Sequence, residues 1–352
     1  MKNQKYWSLR ARNASFLIDK RAFGITLILF ILFLVMIVLS LGLGDLFISP
    51  LSVVKAIFGQ STEMNNLVVQ SFRFPRILVA GLAGMGLAVA GAILQGLVRN
   101  PLASPDIIGV TTGASLTTVI FLTFFSAGSE TSMNISIQWL PIFSFIGALA
   151  MGLLVYFLSK RGVSATRLVL IGIGLSAGAK AFTDLMLVLG PSYLASQASI
   201  WMTGSVNGAS WTSVLILFIW IFVFLVLSLS LSRRLNAQTF GEKIAVGIGN
   251  NLRRDRVLLL IISTALAGGS VAYAGTISFI GLMAPHMARR LVGSSYGSLI
   301  PVSGLLGGLV VMLSDLIGRT VFLPLEVPAG VFTAAIGAPY FIYLLYKTRK
   351  WG

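Results

Sequence analysis

The sequence predicts an all-α, polytopic membrane protein of about ten transmembrane helices with both termini on the cytoplasmic side. Three observations carry that prediction. The 352 residues are 56% hydrophobic and only 10% charged, with a mean hydropathy of +0.93, whereas a soluble domain carries about 25% charged residues. Apolar runs of span length recur along the whole chain with no Pro/Gly/Ser-rich linker between them, so residues 1–352 read as one membrane domain. Lys and Arg gather in the breaks between those runs, so the net charge of +16 reflects topological bias rather than nucleic-acid binding.

Residues 1–21 form a basic cytoplasmic tail. Ala22 to Leu43 is too long for a signal-peptide core and is followed by no small-x-small cleavage pattern, so it is a retained first helix. Further apolar stretches lie near 76–98, 107–127, 139–159, 168–190, 211–231, 257–274, 303–322 and 327–346, each close to the ~20 residues that cross a hydrocarbon core. Ile277 to Leu291 is shorter and interrupted by Pro285 and His286. Charge parity decides whether it crosses. If it does, 21 of the 26 Lys and Arg fall on the cytoplasmic side; if it does not, Lys347, Arg349 and Lys350 fall outside, against the positive-inside bias. Ten spans follow, with residues 232–256 as a cytoplasmic loop. Glycines at 81, 84, 86, 91 and 96, and at 304, 307 and 308, suit close helix packing in lipid.

Ionisable groups within spans cost at least ~2.5–3.5 kcal/mol each at the bilayer centre. Lys180 and Asp184 stand at i, i+4 on the fifth span, where they can neutralise each other; an ion pair facing the bundle is preferred here over a proton relay. Asp106, after Pro105, suits a helix N-terminus. Asp315 has no partner visible in the sequence. His286 is the only histidine and cysteine is absent, which leaves no zinc ligand set and no thiol nucleophile. No H-E-x-x-H, G-x-S-x-G or Walker G-x-x-x-x-G-K-[ST] occurs, so the chain is not read as an enzyme, and it calls for no cofactor or metal. Arg73, Arg76 and Arg319 fall on the outer side, against the usual bias. Two readings stand open for them: interfacial snorkelling, or guanidinium forks for carboxylates on another protein.

Two motifs go further. Residues 91–113 read GAILQGLVRNPLASPDIIGVTTG and residues 275–290 read GTISFIGLMAPHMARR; beside them stand RFPR (73–76), DLIGR (315–319), EVPAG (326–330) and GAPYF (337–341). In this order they closely resemble the permease subunits of type II ABC importers for iron–siderophores, haem and vitamin B12, from about Ser40 to Tyr346. The resemblance implies the ten-span type II permease fold in the cytoplasmic membrane of a bacterium. It also implies a second permease subunit, as homo- or heterodimer, two ATPase subunits that hydrolyse ATP, and an extracytoplasmic binding protein. Under it, Arg73, Arg76 and Arg319 match docking positions for that binding protein, and docking is favoured over snorkelling. Asn100 and Leu102, with Thr166 as a looser match, correspond to a cytoplasmic gate. Gly241, Glu242, Ala245 and Gly247 match the ATPase-coupling segment within the 232–256 loop.

The resemblance implies import of a bulky chelate by alternating access, with a ferric siderophore as the preferred cargo and haem or cobalamin as alternatives. A proton-coupled secondary transporter is the reading from another mechanistic class. Such folds show repeated halves with binding groups at broken helices, and Lys180–Asp184 has no counterpart in the other half of the chain.

Overall fold

The computed structural model describes residues 6–11, 14–125, 137–159, 165–190 and 192–348. The C-terminal residues Arg349 and Lys350, used in the charge-parity argument, lie outside them, as do Lys160 and Arg161. In the N-terminal tail, β1 (Tyr6–Ala11) and β2 (Ala14–Asp19) pair antiparallel, Tyr6 opposite Asp19. Nothing in the basic tail had pointed to this hairpin. Asp19 then caps α1 (Lys20–Gly42), its carboxylate accepting from the Arg21 N–H at 2.9 Å, which satisfies a helix-end donor.

The short α2 (Pro50–Ile57) and α3 (Glu63–Leu67) follow, capped by Ser49 and Thr62. From α3 the chain passes through a π-helical turn, Val68–Arg73, straight into α4 (Phe74–Val98). Pro75 supplies the reason: it lacks an N–H and its ring crowds the carbonyl four residues back. Widening the helix, with the Phe74 N–H reaching back to Val69 O, relieves that clash. The turn sets the direction of Arg73 and Arg76.

At the other end of α4, Arg99 takes a left-handed φ of 54° and the chain doubles back. Pro105 packs against Gly281, so residues 101–109 run alongside the bundle before α5 (Val110–Phe125) begins. The third span therefore starts at 110 rather than 107. Then come α6 (Leu140–Ser159), α7 (Ala165–Leu189), α8 (Ser192–Thr203), α9 (Trp211–Ser230), α10 (Ser232–Thr239) and α11 (Glu242–Gly247). The chain ends with α12 (Leu252–Ala274), α13 (Ile280–Val292), α14 (Tyr296–Thr320) and α15 (Ala329–Thr348).

Among the described residues, seven helices are long and apolar enough to cross a membrane, and Val110–Phe125 and Ala329–Leu344 are shorter apolar helices. The ambiguous segment is helical over Ile280–Val292 with Pro285 inside it. Burial sorts the helices into two layers. The apolar windows of α4, α12 and α14 are 83%, 78% and 72% buried, against 17% for α1 and 22% for α7 and α9. The central helices meet one another, and α4 meets α13, through small residues. A Cβ on Gly91 would overlap the carbonyl of Gly281, and one on Gly84 the carbonyl of Gly307. Ser263 Oγ donates to Ala90 O at 3.0 Å between α12 and α4. In lipid such backbone approach is a main source of helix association.

The bundle has two ends. Near the start of α1 lie the α4–α5 turn, α10–α11 and the α13–α14 turn; beyond the end of α1 lie α2, α3, Arg73, Arg319 and the start of α15. Gly91→Val should prevent accumulation of folded protein, since filling a close-packed contact costs about 1–3 kcal/mol and more against backbone. Gly24→Ala, with nothing within 4 Å of its added carbon, should leave the thermal midpoint of the detergent-solubilised protein unchanged. Fluorescence-detected thermal size exclusion on both variants checks this.

Candidate functional site

At the far end the three arginines converge, but not as solvent-facing forks. Arg73, 9% exposed, donates from Nη1 to Leu41 O and from Nη2 to Leu46 O, both at 2.8 Å. Arg319, 6% exposed, donates from Nη1 to Leu43 O at 2.7 Å and from Nη2 to Ser40 O. Two guanidinium groups thus serve carbonyls at and just past the C-terminus of α1, where helix acceptors lack internal partners and the dipole favours positive charge. Gly44 makes room for them: a Cβ there would stand 2.5 Å from Arg73 Nη2 and 3.2 Å from Arg319 Nη1.

Arg76 has a different set of partners. Its Nε lies 3.0 and 3.2 Å from the two oxygens of Asp315, and its Nη2 is 2.9 Å from Oδ1. Its Nη1 donates to Glu326 Oε2 at 2.9 Å. Asp315 is 2% exposed and also faces Arg319 Nε at 3.7 Å. This corrects the sequence reading, in which Asp315 had no partner: Arg76 comes from another helix, and Arg319 stands at i, i+4 on α14 itself. Snorkelling is likewise corrected, because the guanidinium groups turn into the fold. Among the described residues these groups line a cleft of about 630 Å³ with Asp45, Phe72 and Asn207.

At the near end, the α4–α5 turn is held by Asn100, whose Oδ1 accepts the Leu102 N–H at 2.9 Å. Asn100 is exposed and Leu102 half-buried; Thr166 lies in the first turn of α7, its side chain outside the described set. Asp106 does not cap α5 directly. Its carboxylate lies beside the Thr111 side chain and the Phe279 backbone, which sets the α4–α5 turn against the N-terminal end of α13. Gln95 bridges α4 to α13 through Gly281 O and Leu282 O, at 3.3 and 3.4 Å, and accepts from Arg289. His286 Nδ1 and the Tyr340 hydroxyl are 2.7 Å apart, joining α13 to α15.

The 232–256 loop is a built element. Arg234 pairs with the buried Asp255 at 2.6 Å, fixing α10 to α12, and Asn236 Oδ1 accepts the Tyr296 N–H at 2.8 Å, fixing it to α14. Gly241, with φ 114°, turns the chain into α11, which Glu242 begins and Gly247 ends. Ala245 is fully buried, so it packs inward. The residues that face out are Phe240, Ile244, Val246 and Ile248, 53–72% exposed. Sequence reasoning missed these four and the Asn236 and Asp255 anchors. Apolar residues at 240, 244 and 248 in an otherwise polar loop were the available signal.

Lys180 and Asp184 do pair, at 3.3 Å, but their side chains are 65% and 54% exposed. The pair faces outward from the single chain, which corrects the expectation that it points into the bundle.

A helical bundle of apolar, span-length helices with small-residue contacts at its centre is the architecture of a multi-spanning membrane protein. The chain belongs to the FecCD transport family, whose profile matches residues 32–347. It is 55% identical to the "Probable siderophore transport system permease protein YfhA" of Bacillus subtilis, over 94% of this chain and 97% of that protein. It is 43% identical to the achromobactin transport system permease protein CbrC of Dickeya dadantii, over 91% and 90%. A solved inward-facing structure of a metal-chelate type ABC transporter matches with a TM-score of 0.81 at 31% identity, covering 92% of this chain and 99% of that one. The chain is therefore an ABC permease, a membrane-embedded transport subunit and not an enzyme.

Breaking the buried pair should be severe. Asp315→Asn leaves Arg319 without its carboxylate and Arg76 with only the exposed Glu326, and should cost about 3–5 kcal/mol, while Glu326→Gln, on an exposed carboxylate, should cost no more than about 1 kcal/mol. Thermal unfolding midpoints of the two variants in one detergent compare them directly.

Proposed function

We propose that this chain imports a ferric siderophore across the cytoplasmic membrane of a bacterium by alternating access. It would act as one of two permease subunits with two ATPase subunits and an extracytoplasmic binding protein. In this reading the chain crosses ten times, with both termini and α10–α11 in the cytoplasm and the arginine cleft outside. Cargo identity rests on relatives named for siderophore, achromobactin, ferric hydroxamate and ferric citrate transport.

The observation that carries the ATP-driven reading is the outward apolar crest of Phe240, Ile244, Val246 and Ile248 on a segment bolted to α12 and α14. A partner that pushes on that crest moves the central helices as a body. Asn100 and Leu102, on the turn that follows α4, and Thr166 then sit where rearrangement would open a cytoplasmic gate. Gly241, Glu242, Ala245 and Gly247 shape the coupling segment, Gly241 and Ala245 by turning and seating it. Binding-protein docking is assigned to the face that holds Arg73, Arg76 and Arg319. The exposed Lys180–Asp184 pair supports a second subunit or a water-lined path against α7, since a charged pair facing lipid is costly.

Uptake of radiolabelled iron on a siderophore panel, with haem and cobalamin alongside, tests the cargo. Loss of one ferric chelate in cells lacking this chain, with recovery on its return, is expected; loss of haem or cobalamin uptake instead would replace the siderophore assignment. Ile244→Glu should abolish uptake and weaken co-purification of the ATPase roughly tenfold or more, as for a central apolar contact. Ile244 is exposed, so the permease itself should still fold.

A further inference from the structure

The far-end cleft poses a problem for a docking surface. Three guanidinium groups stand there with three carboxylates, Asp45, Asp315 and Glu326. The cleft is balanced and presents no net charge to an incoming acid. An acidic side chain can enter only if a resident carboxylate leaves.

The hydrogen bonds say which one. Arg73 and Arg319 give both terminal nitrogens to carbonyls at the end of α1, and withdrawing either would strand buried acceptors. Arg76 keeps Nε and Nη2 on Asp315, which is buried and cannot follow a partner outward. Among the hydrogen-bond partners described for the three arginines, only Glu326, on Arg76 Nη1, is an exposed side chain, 45% exposed, on the loop between α14 and α15. Both ends of that loop are pinned. The Val327 N–H bonds Gly318 O and the Gly330 N–H bonds Gly204 O, each at 3.0 Å, so displacing Glu326 need not disturb α15. Beside it Leu325, Val321 and Phe322 are 74%, 64% and 50% exposed, an apolar rim ready to be covered.

We propose that Glu326 is a resident stand-in for the partner's carboxylate. On docking, an Asp or Glu of an extracytoplasmic protein takes over Arg76 Nη1, Glu326 turns out to solvent, and the apolar rim closes around the new pair. Of the three arginines only Arg76 meets the partner; Arg73 and Arg319 are positioning residues that hold the α1–α2 loop against it. This inference rests on the docking assignment made above. The number of ion pairs at Arg76 Nη1 is unchanged by the exchange, Glu326 regains water, and burial of the apolar rim favours the docked state.

The test uses the whole transporter in lipid nanodiscs and, as probe, the purified soluble part of the binding protein that supports uptake. Affinity is read by biolayer interferometry. Glu326→Gln should tighten binding roughly two- to fivefold, the range an exposed pair spans. Glu63→Gln, removing an exposed charge elsewhere on the same end, should change it less, which separates local exchange from long-range attraction. Because the chain has no cysteine, Leu325→Cys carries a bulky maleimide uniquely, and that label should block binding. Blocked binding together with unchanged or weaker affinity for Glu326→Gln overturns the exchange while leaving the docking face in place. Binding that survives the label overturns the docking face itself, and the exchange with it.

Discussion

The rest of the structure depends on one electrostatic demand at the far end of the bundle. α1 finishes with its last carbonyls turned away from water, and Asp315 lies buried in α14. Both need positive charge, and the low dielectric makes leaving either unmet expensive. Arg73, Arg76 and Arg319 meet the two needs together, from α4 and α14. The otherwise loosely held α1, with only 17% of its span buried, is thereby anchored to the two most central helices. The π-helical turn before Pro75 and the glycine at 44 are the local adjustments that let the guanidinium groups reach.

The near end solves a different problem with the same central helices. A loop that merely fixed topology would need only its arginines. Here Arg234 and Asn236 tie α10 to α12 and α14, and Gly91 against Gly281 ties α4 to α13. Backbone-to-backbone contacts between helices do not compress, so displacement at α10–α11 travels as rigid-body motion rather than being absorbed by side chains. The same α4 and α14 carry Arg76 and Asp315 at the opposite end. Events on the two faces therefore act on one shared pair of helices.

Much of this was legible in the sequence, because hydropathy and Lys/Arg placement report directly on where a chain can sit in a bilayer. The positions of the apolar runs agree with the helices within a few residues. The misplaced start of the third span has a clear cause: Pro105 lies against Gly281, a tertiary contact that no window of sequence contains. Asp315 seemed unpartnered for a related reason, since Arg76 is remote in sequence and Arg319 faces it only once the helix is formed. Lys180 and Asp184 show the opposite limit. Their i, i+4 spacing announces the pair, but which way a helix face turns is set by the packing of its neighbours.

That outward turn constrains what surrounds a single chain. The exposed surface of α7 also carries Gly174 and Gly178, turned roughly 120° around the helix from the pair, with nothing within 4 Å of either added carbon. Small residues and a salt bridge are a poor surface to present to hydrocarbon. The glycines gain nothing there, and the charges lose hydration without gaining further partners. Both features make sense where another helix approaches closely or where water is admitted. In the proposed assembly, a face that is too small-sided for lipid and too polar for a dry core is the one that would border a second subunit or the path between two of them. The lone chain is complete in its fold and incomplete in its surface.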